Sequence, residues 1–390
     1  MKILFIAPQP FYQERGTPIN VDLVLTALSQ RGDVVDLLVY HEGEDREYPN
    51  IKLHRIKPFF PIKNLQCGFS VKKVLADIFI FFKAIKLVKE GNYDLIHAGE
   101  EAAFIALFIK WYKKIPYIYD MDSLLSRQMI GKMKLLKKVE KQLLYMESLA
   151  VKNALGIAPV CKALEEDAQK LGGKNIISWE DISLRKEEIS YSNNTDIRKH
   201  FSIENSILMY IGNLERYQGI HLLLESFAIA LKKVSMTLVI IGGQRKDIDY
   251  YKNFSTKLGI DKYVRFLGTR PSNLLFEFMN QANALVSPRT LGFNTPMKIY
   301  SYLHSGIPVL ATNLYTHTQV VSSENTVLAE PEKSQFAKGI VEVITNKGLR
   351  EKVSKNAVKF IEENHTYDIL KNKINSLYNI MQKEITVEYE

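Results

Sequence analysis

The chain has 390 residues, enough for two hydrophobic cores, and its composition, 46% hydrophobic and 24% charged, excludes disordered and fibrous classes. The two cysteines, Cys67 and Cys161, exclude a disulfide scaffold or a cysteine zinc site and suit a reducing compartment. A net charge of +9 favours anionic partners, but with no zinc-finger spacing and no aromatic-basic RNA-binding pattern, nucleic acid is not expected among them.

The apolar run at 2–7 is too short for a signal peptide and is interrupted by Pro8, so it reads as a first strand. No stretch reaches the ~20 apolar residues of a membrane span. The longest candidate, 74–88, is broken by Asp77, Lys83 and Lys86. The expected location is therefore cytoplasmic. Further strands are predicted at 34–39, 95–97, 116–119, 156–160 and 175–179, with helical periodicity at 21–31 and 71–90. That alternation is the mark of a parallel sheet with crossover helices. The pattern lapses over the polar segment 186–205, which reads as a linker closing a first domain of residues 1–185.

It restarts at 206–365. Strands are predicted at 207–211, 237–241, 263–267, 284–287, 308–311 and 327–329, and helices at 220–232, 247–258, 273–281 and 296–304. A last helix over 366–384 has Thr366 as a plausible cap and an apolar face of Leu370, Ile374, Leu377 and Met381. The fold class is α/β, with two Rossmann-like domains expected to face one another across a cleft.

Chemistry concentrates at 287–312. After a strand ending at Ser287 comes a loop carrying Arg289 and Gly292. Thr295 then reads as an N-cap, Pro296 as the first helical residue, and Lys298 and Ser301 as one face of the helix. Free amides and two cations there would suit a diphosphate.

These residues resemble the family 4 retaining glycosyltransferases of GT-B fold. The likeness rests on Gly292, Phe293, Pro296, Gly306, Pro308, Val309, Ala311 and Thr312. It extends to the stretches 210–219, 222–227, 239–243 and 264–268, and to Arg15, Gly16, Thr17 and Pro18 near the N-terminus. The resemblance implies a nucleotide-sugar donor, a saccharide or lipid-linked saccharide acceptor, retention of configuration, no metal and no cofactor. It also implies that the terminal helix crosses back onto the first domain. The candidate donor-binding residues are Gly16, Gly212, Asn213, Arg216, Gln218, Gly243, Arg245, Gly292, Phe293, Asn294, Thr295 and Ser301, and the candidate catalytic residues are His97, Asp120, Asp122, Arg289 and Lys298. Asp120 and Asp122 have a second reading as a metal-binding pair, which is not preferred. His97 has a structural alternative, and Glu100 and Glu101 can hold acceptor hydroxyls.

Four usual donor contacts are replaced. The family's Arg and Lys in the first loop of the second domain align with Asn213 and Gln218, and its two donor-site glutamates with Leu291 and Ser301. Arg216, Arg245, Arg289 and Lys298 are the candidates to compensate. A non-catalytic subunit that stabilises an active partner is the alternative these departures allow.

Residues 126–143 carry Arg127, Lys132, Lys134, Lys138 and Lys141 among apolar residues at helical spacing. This predicts a basic amphipathic helix able to lie on an anionic membrane at its inner face. Lysines around Trp111 and Tyr112, and around Phe79, Phe81 and Phe82, have the same interfacial composition.

Overall fold

The structure, a computed structural model, describes all residues except 15, 61, 64, 66–69, 133, 186–195 and 390; the side chains of 131, 132, 134–136, 388 and 389 are likewise outside the description. Cys67 and Arg15 therefore fall outside it, as does half of the predicted linker. The chain forms two units: residues 1–181 with 367–390, and residues 182–366.

The first unit contains β1 (Lys2–Ala7), α1 (Gly16–Arg31), β2 (Val34–Val39), β3 (Ile51–Arg55), α2 (Val71–Glu90), β4 (Leu95–Gly99), α3 (Ala102–Lys113), β5 (Tyr117–Met121), α4 (Leu125–Lys132), α5 (Glu140–Asn153), β6 (Gly156–Pro159) and α6 (Lys162–Lys170). Its six strands pair in the order β3-β2-β1-β4-β5-β6, all parallel. The inner strands are mainly apolar because helices cover both faces. The edge strand β3, reading Ile-Lys-Leu-His-Arg, is only half-buried, which is why its weak apolar pattern escapes prediction. The predicted strand at 175–179 reduces to an isolated bridge between Ile157 and Ile176.

Ser70 caps α2 by accepting from the Lys73 amide, an N-cap that satisfies one orphan donor. The helix then buries Ala76, Ile80, Ala84 and Leu87 on the sheet, in the same core as α3 and α5.

The second unit runs α7 (Ile197–Phe201), β7 (Ser206–Ile211), α8 (Ile220–Ala230), β8 (Met236–Ile241), α9 (Arg245–Lys257), β9 (Val264–Gly268), α10 (Leu275–Met279), β10 (Ala284–Ser287), α11 (Lys298–His304), β11 (Val309–Thr312), α12 (Tyr315–Thr318), β12 (Val327–Ala329), α13 (Lys333–Thr345) and α14 (Lys347–Asn364). Its parallel sheet has the order β12-β11-β10-β7-β8-β9. The second half of the predicted linker is not a linker, since Ile197 of α7 and Ile203 just after it are buried in this unit's core.

The terminal helix α15 (Tyr367–Tyr389) returns to the first unit and packs on α1. Leu370, Ile374, Leu377 and Met381 are buried as their spacing predicts. Each such side chain contributes about 1.5–3 kcal/mol before the entropic cost of ordering it.

Candidate active site

In the second unit, successive strands β7, β8 and β9 step one way, and the chain then places β10 on the other flank of β7. Sheets of this kind bind ligands beyond the carboxyl ends of the strands where the order reverses, here between β7 and β10. The loops 212–219 and 288–297 leave those two strands and are held together. The Thr290 amide donates to the Tyr217 carbonyl at 3.0 Å. Gly219, at φ +75°, approaches the Pro288 carbonyl so closely that a Cβ would lie 1.9 Å from its oxygen. Gly242, at φ +108°, meets the Gly212 carbonyl in the same manner, at 2.2 Å. Only glycine tolerates both the backbone conformation and the approach.

Two cations occupy this place. The Lys298 ammonium donates to the Gln218 amide oxygen at 3.0 Å and lies 4.0 Å from the Tyr210 ring centroid, a cation–π contact. Burial, reinforced by the nearby Arg289 guanidinium, holds its pKa well below the ordinary lysine value, although part of the residue still reaches solvent. An ammonium in that condition gains from an incoming anion, because the anion removes the penalty that burial imposes on the charged form.

Arg289 organises the loop that carries it. It donates to the carbonyls of Leu291 (2.8 Å) and Asn294 (3.1 Å) and stands 5.1 Å from the Tyr217 ring. Beneath it, Thr312 Oγ1 donates to the Arg289 carbonyl at 2.6 Å. His317, a residue without any local motif, bridges Ser287 (2.9 Å) and Thr312 (3.0 Å) at the ends of β10 and β11. Burial lowers its pKa to about 3, so it sits there neutral.

Several expectations for this loop need correction. Thr295 does not cap α11: the helix begins at Lys298 with Met297 before it and no side-chain cap. Pro296 enters through its carbonyl, which accepts from the Ile299 amide, and the buried Thr295 hydroxyl has no hydrogen-bond partner among the described residues. Ser301 is spent on the Leu184 amide, at 3.2 Å, because the incoming chain of this unit lies over α11.

Asn294 and Phe293 contribute carbonyls that accept from Thr316 (2.6 Å) and Gln319 (2.9 Å), leaving the Phe293 ring exposed. Gly292 takes φ +126° against the Arg289 guanidinium. Gly212, Asn213 and Gly243 lie in the expected loops, while Arg216 and Arg245 are exposed. Gly16, a donor-binding candidate, is the first residue of α1 in the first unit.

In the first unit His97 is fully buried. It stacks on Phe5 at 3.8 Å, and its nitrogens meet the Tyr378 hydroxyl (2.6 Å) and Asp120 (3.2 Å). The other Asp120 oxygen accepts from the Trp179 indole at 3.2 Å. These two residues join α15 to the sheet; they are not open to a substrate, nor is Asp120 free to act in a metal pair with Asp122.

Asp122, one strand step further out, is raised well above the usual carboxylate range by burial and by Asp120, Glu100 and Asp181, with Asn20 acting the other way. Asp181 is pushed up to about 7 by burial, Asp120 and Glu180. Glu100 and Glu101 both pair with Lys73, at 2.8 and 2.7 Å. Burial alone would lower that lysine, but the two carboxylates hold it above its ordinary value. Burial pushes Asp77, bonded to the Tyr40 hydroxyl, up to about 6. The strand ends of this unit therefore carry a group of carboxyls able to accept from or donate to hydroxyls.

The basic segment is also rearranged. The predicted single helix breaks into α4, a 3-10 turn at Lys134–Val139 and α5. Arg127 is engaged with both Asp167 oxygens. Lys138 and Lys141 are exposed, and the side chains of Lys132 and Lys134 lie outside the described residues.

Residues 193–360 match the family described as glycosyl transferases group 1. Over 386 residues the chain is 22% identical to an uncharacterized glycosyltransferase, MJ1607, of Methanocaldococcus jannaschii, covering 94% of each. Over 372 residues it is 24% identical to the capsular polysaccharide biosynthesis glycosyltransferase CapM of Staphylococcus aureus, covering 89% of this chain and 90% of that one. Among solved structures, Anabaena HepE in complex with UDP superposes with a TM-score of 0.75 at 18% identity, over 97% of this chain and 100% of the other. The fold is that of the GT-B glycosyltransferases: two Rossmann-like domains, each built on a six-stranded parallel sheet.

Proposed function

Because the chain is a glycosyltransferase, we propose that its second unit binds the diphosphate of a nucleotide-sugar and that the sugar passes, with retention and without a metal, to a hydroxyl of a saccharide or lipid-linked saccharide in polysaccharide assembly. The observation that carries this reading is the desolvated Lys298 ammonium at the β7/β10 reversal, among glycines that bring backbone close to it.

Leaving of the nucleotide concentrates negative charge on the diphosphate, and a preoriented cation stabilises that charge without reorganising. Lys298 is that cation. Arg289 fixes the 291–294 carbonyls and thereby the shape of the loop. Retention and metal independence are supported by the family resemblance. Acceptor hydroxyls suit the carboxyls of Asp122, Asp181 and Glu100 at the strand ends of the first unit. The relatives support the class of pathway and donor: CapM acts in capsular polysaccharide biosynthesis, and HepE was also solved with UDP-glucose.

The test is a thermal-shift panel of UDP-, GDP-, ADP- and CMP-sugars, repeated with Lys298→Ala. One nucleotide class is expected to raise Tm, and the variant to bind it roughly tenfold to a hundredfold more weakly, the worth of one charge-assisted bond. If no nucleotide-sugar raises Tm, or Lys298→Ala binds as tightly as the parent, the donor assignment is wrong. Turnover undiminished by a chelator, with the product anomer read by NMR, tests the mechanism.

A further inference from the structure

The helical layer over one face of the first unit's sheet is itself left uncovered. Along α2, Val71, Val74, Ile78 and Phe82 project outward at spacings of three and four residues, a stripe about 16 Å long at the rise of an α-helix. Phe82 is 65% exposed and Trp111, on neighbouring α3, 61%. The two helices are joined by rings: Phe81 stands 5.5 Å from Phe82 and 5.2 Å from Phe108. Phe108 stacks on Tyr112 at 6.4 Å.

Contiguous exposed aromatic and aliphatic surface of this kind marks an interaction site. No helix among the described residues is long and apolar enough to cross a membrane. The occupant is indicated by charge. Lys72, Lys86, Lys113 and Lys114 are exposed around the stripe, and Lys83 partly so. Of the two acidic residues of α2, Asp77 is bonded to the Tyr40 hydroxyl and Glu90 lies 3.6 Å from Lys86, so Lys72, Lys113 and Lys114 are the exposed cations that carry the face's net charge. Beside the start of α2, Phe60, Ile62 and Leu75 with Lys63 and Lys72 line an open cavity of about 470 Å³, apolar walls with two ammoniums.

We propose that the outer face of α2 and α3 docks this protein on a membrane surface containing anionic lipid. Phe82, Phe108 and Trp111 enter the acyl boundary, and the surrounding lysines meet the headgroups. A surface made for another protein would be expected to pair cations with anions. Here the uncompensated charge is all of one sign, as a lipid interface requires. The predicted basic segment at 126–143 is not the main contact, because its Arg127 is already spent on Asp167.

The protein reports on itself in this experiment. It has two tryptophans, and Trp179 is fully buried, so a vesicle-induced change in emission reads Trp111. The intact protein is floated with phosphatidylcholine vesicles, with and without phosphatidylglycerol. Binding is expected to the anionic vesicles, weakening as salt rises, with a blue shift of Trp111. The double variant Phe82→Ser/Trp111→Ser, at exposed positions that leave the core alone, is expected to lose roughly tenfold or more in vesicle affinity. Lys113→Glu/Lys114→Glu is expected to abolish binding at moderate salt while leaving Tm unchanged.

Absence of flotation with anionic vesicles overturns the proposal. So does flotation with unshifted emission and unchanged affinity in the aromatic variant. A concentration-dependent dimer that shields Trp111 without lipid also overturns it, assigning the face to a second copy. No donor is needed for this assay, so its failure leaves glycosyl transfer standing, and loss of donor binding leaves the docking result standing.

Discussion

The side-chain oxygen of Gln218 accepts from the Lys298 ammonium at 3.0 Å, joining the loop after β7 to the start of α11 across 80 residues of chain. Gln218 stands where the family resemblance places a basic residue. Its buried amide puts a neutral acceptor, and no further cation, against the Lys298 ammonium. Gln218→Lys puts a second ammonium beside the first. Without ligand the two repel, so Tm falls. A bound diphosphate relieves the repulsion, so the nucleotide-induced rise in Tm grows beyond that of the parent. Gln218→Ala removes one charge-assisted acceptor and lowers donor affinity by up to roughly tenfold. Calorimetric titration of both variants checks the pair.

At a pH above the lowered pKa of Lys298, donor binding is expected to take up a proton. The free site holds Lys298 below its ordinary pKa, and a bound diphosphate raises it again. Affinity is therefore full below the lowered value and declines as pH rises through it. Titration in buffers of different ionisation enthalpy measures the uptake, which Lys298→Met abolishes.

Gly219→Ala tests the junction of the two loops. The added methyl meets the Pro288 carbonyl at 1.9 Å in a backbone conformation of φ +75°. Strain of this kind costs of order 1–3 kcal/mol. The variant is expected to melt lower and to bind the donor poorly. Gly259→Ala shares a similar φ, +68°, but has open space around it, and should leave donor affinity unchanged.

The carboxyls of the first unit give a pH signature in stability. Asp181 has a folded pKa of about 7 against the ordinary 3.8, so the native state binds the extra proton between those values. Stability contributed by that proton is present below the lower value and is lost as pH rises through the upper one. Asp181→Asn is expected to gain stability relative to the parent as pH climbs across this window, read as a growing difference in Tm. A difference that stays flat with pH would contradict the assignment.

The loop chemistry of the second unit was partly legible in advance because its cations, Arg289 and Lys298, lie close together in the chain and soon after a strand end. Their division of labour was not. Whether a guanidinium meets a ligand or the carbonyls of its own loop depends on the path of residues 291–294 in space, and His317 has no neighbours in sequence that announce its place between Ser287 and Thr312. For His97 the sequence left two readings open, and the structure selects the structural one. A strand-end histidine in a parallel sheet often faces a site, but the terminal helix brings Tyr378 to it from 281 residues away.

From the sequence by itself came the two successive αβ blocks, the buried face of α15, and the interfacial composition of α2 and α3. Side-chain periodicity is a local property, and it determines which face of each element leaves water. Only the tertiary structure decided that Gln218 holds Lys298, that Asp167 engages Arg127, that Ser301 bonds the Leu184 amide and that Phe82 and Trp111 remain uncovered. Those outcomes depend on strand order and on which residues distant in the chain reach hydrogen-bond distance. Strand order is set by packing of the whole unit, which no single window of sequence records.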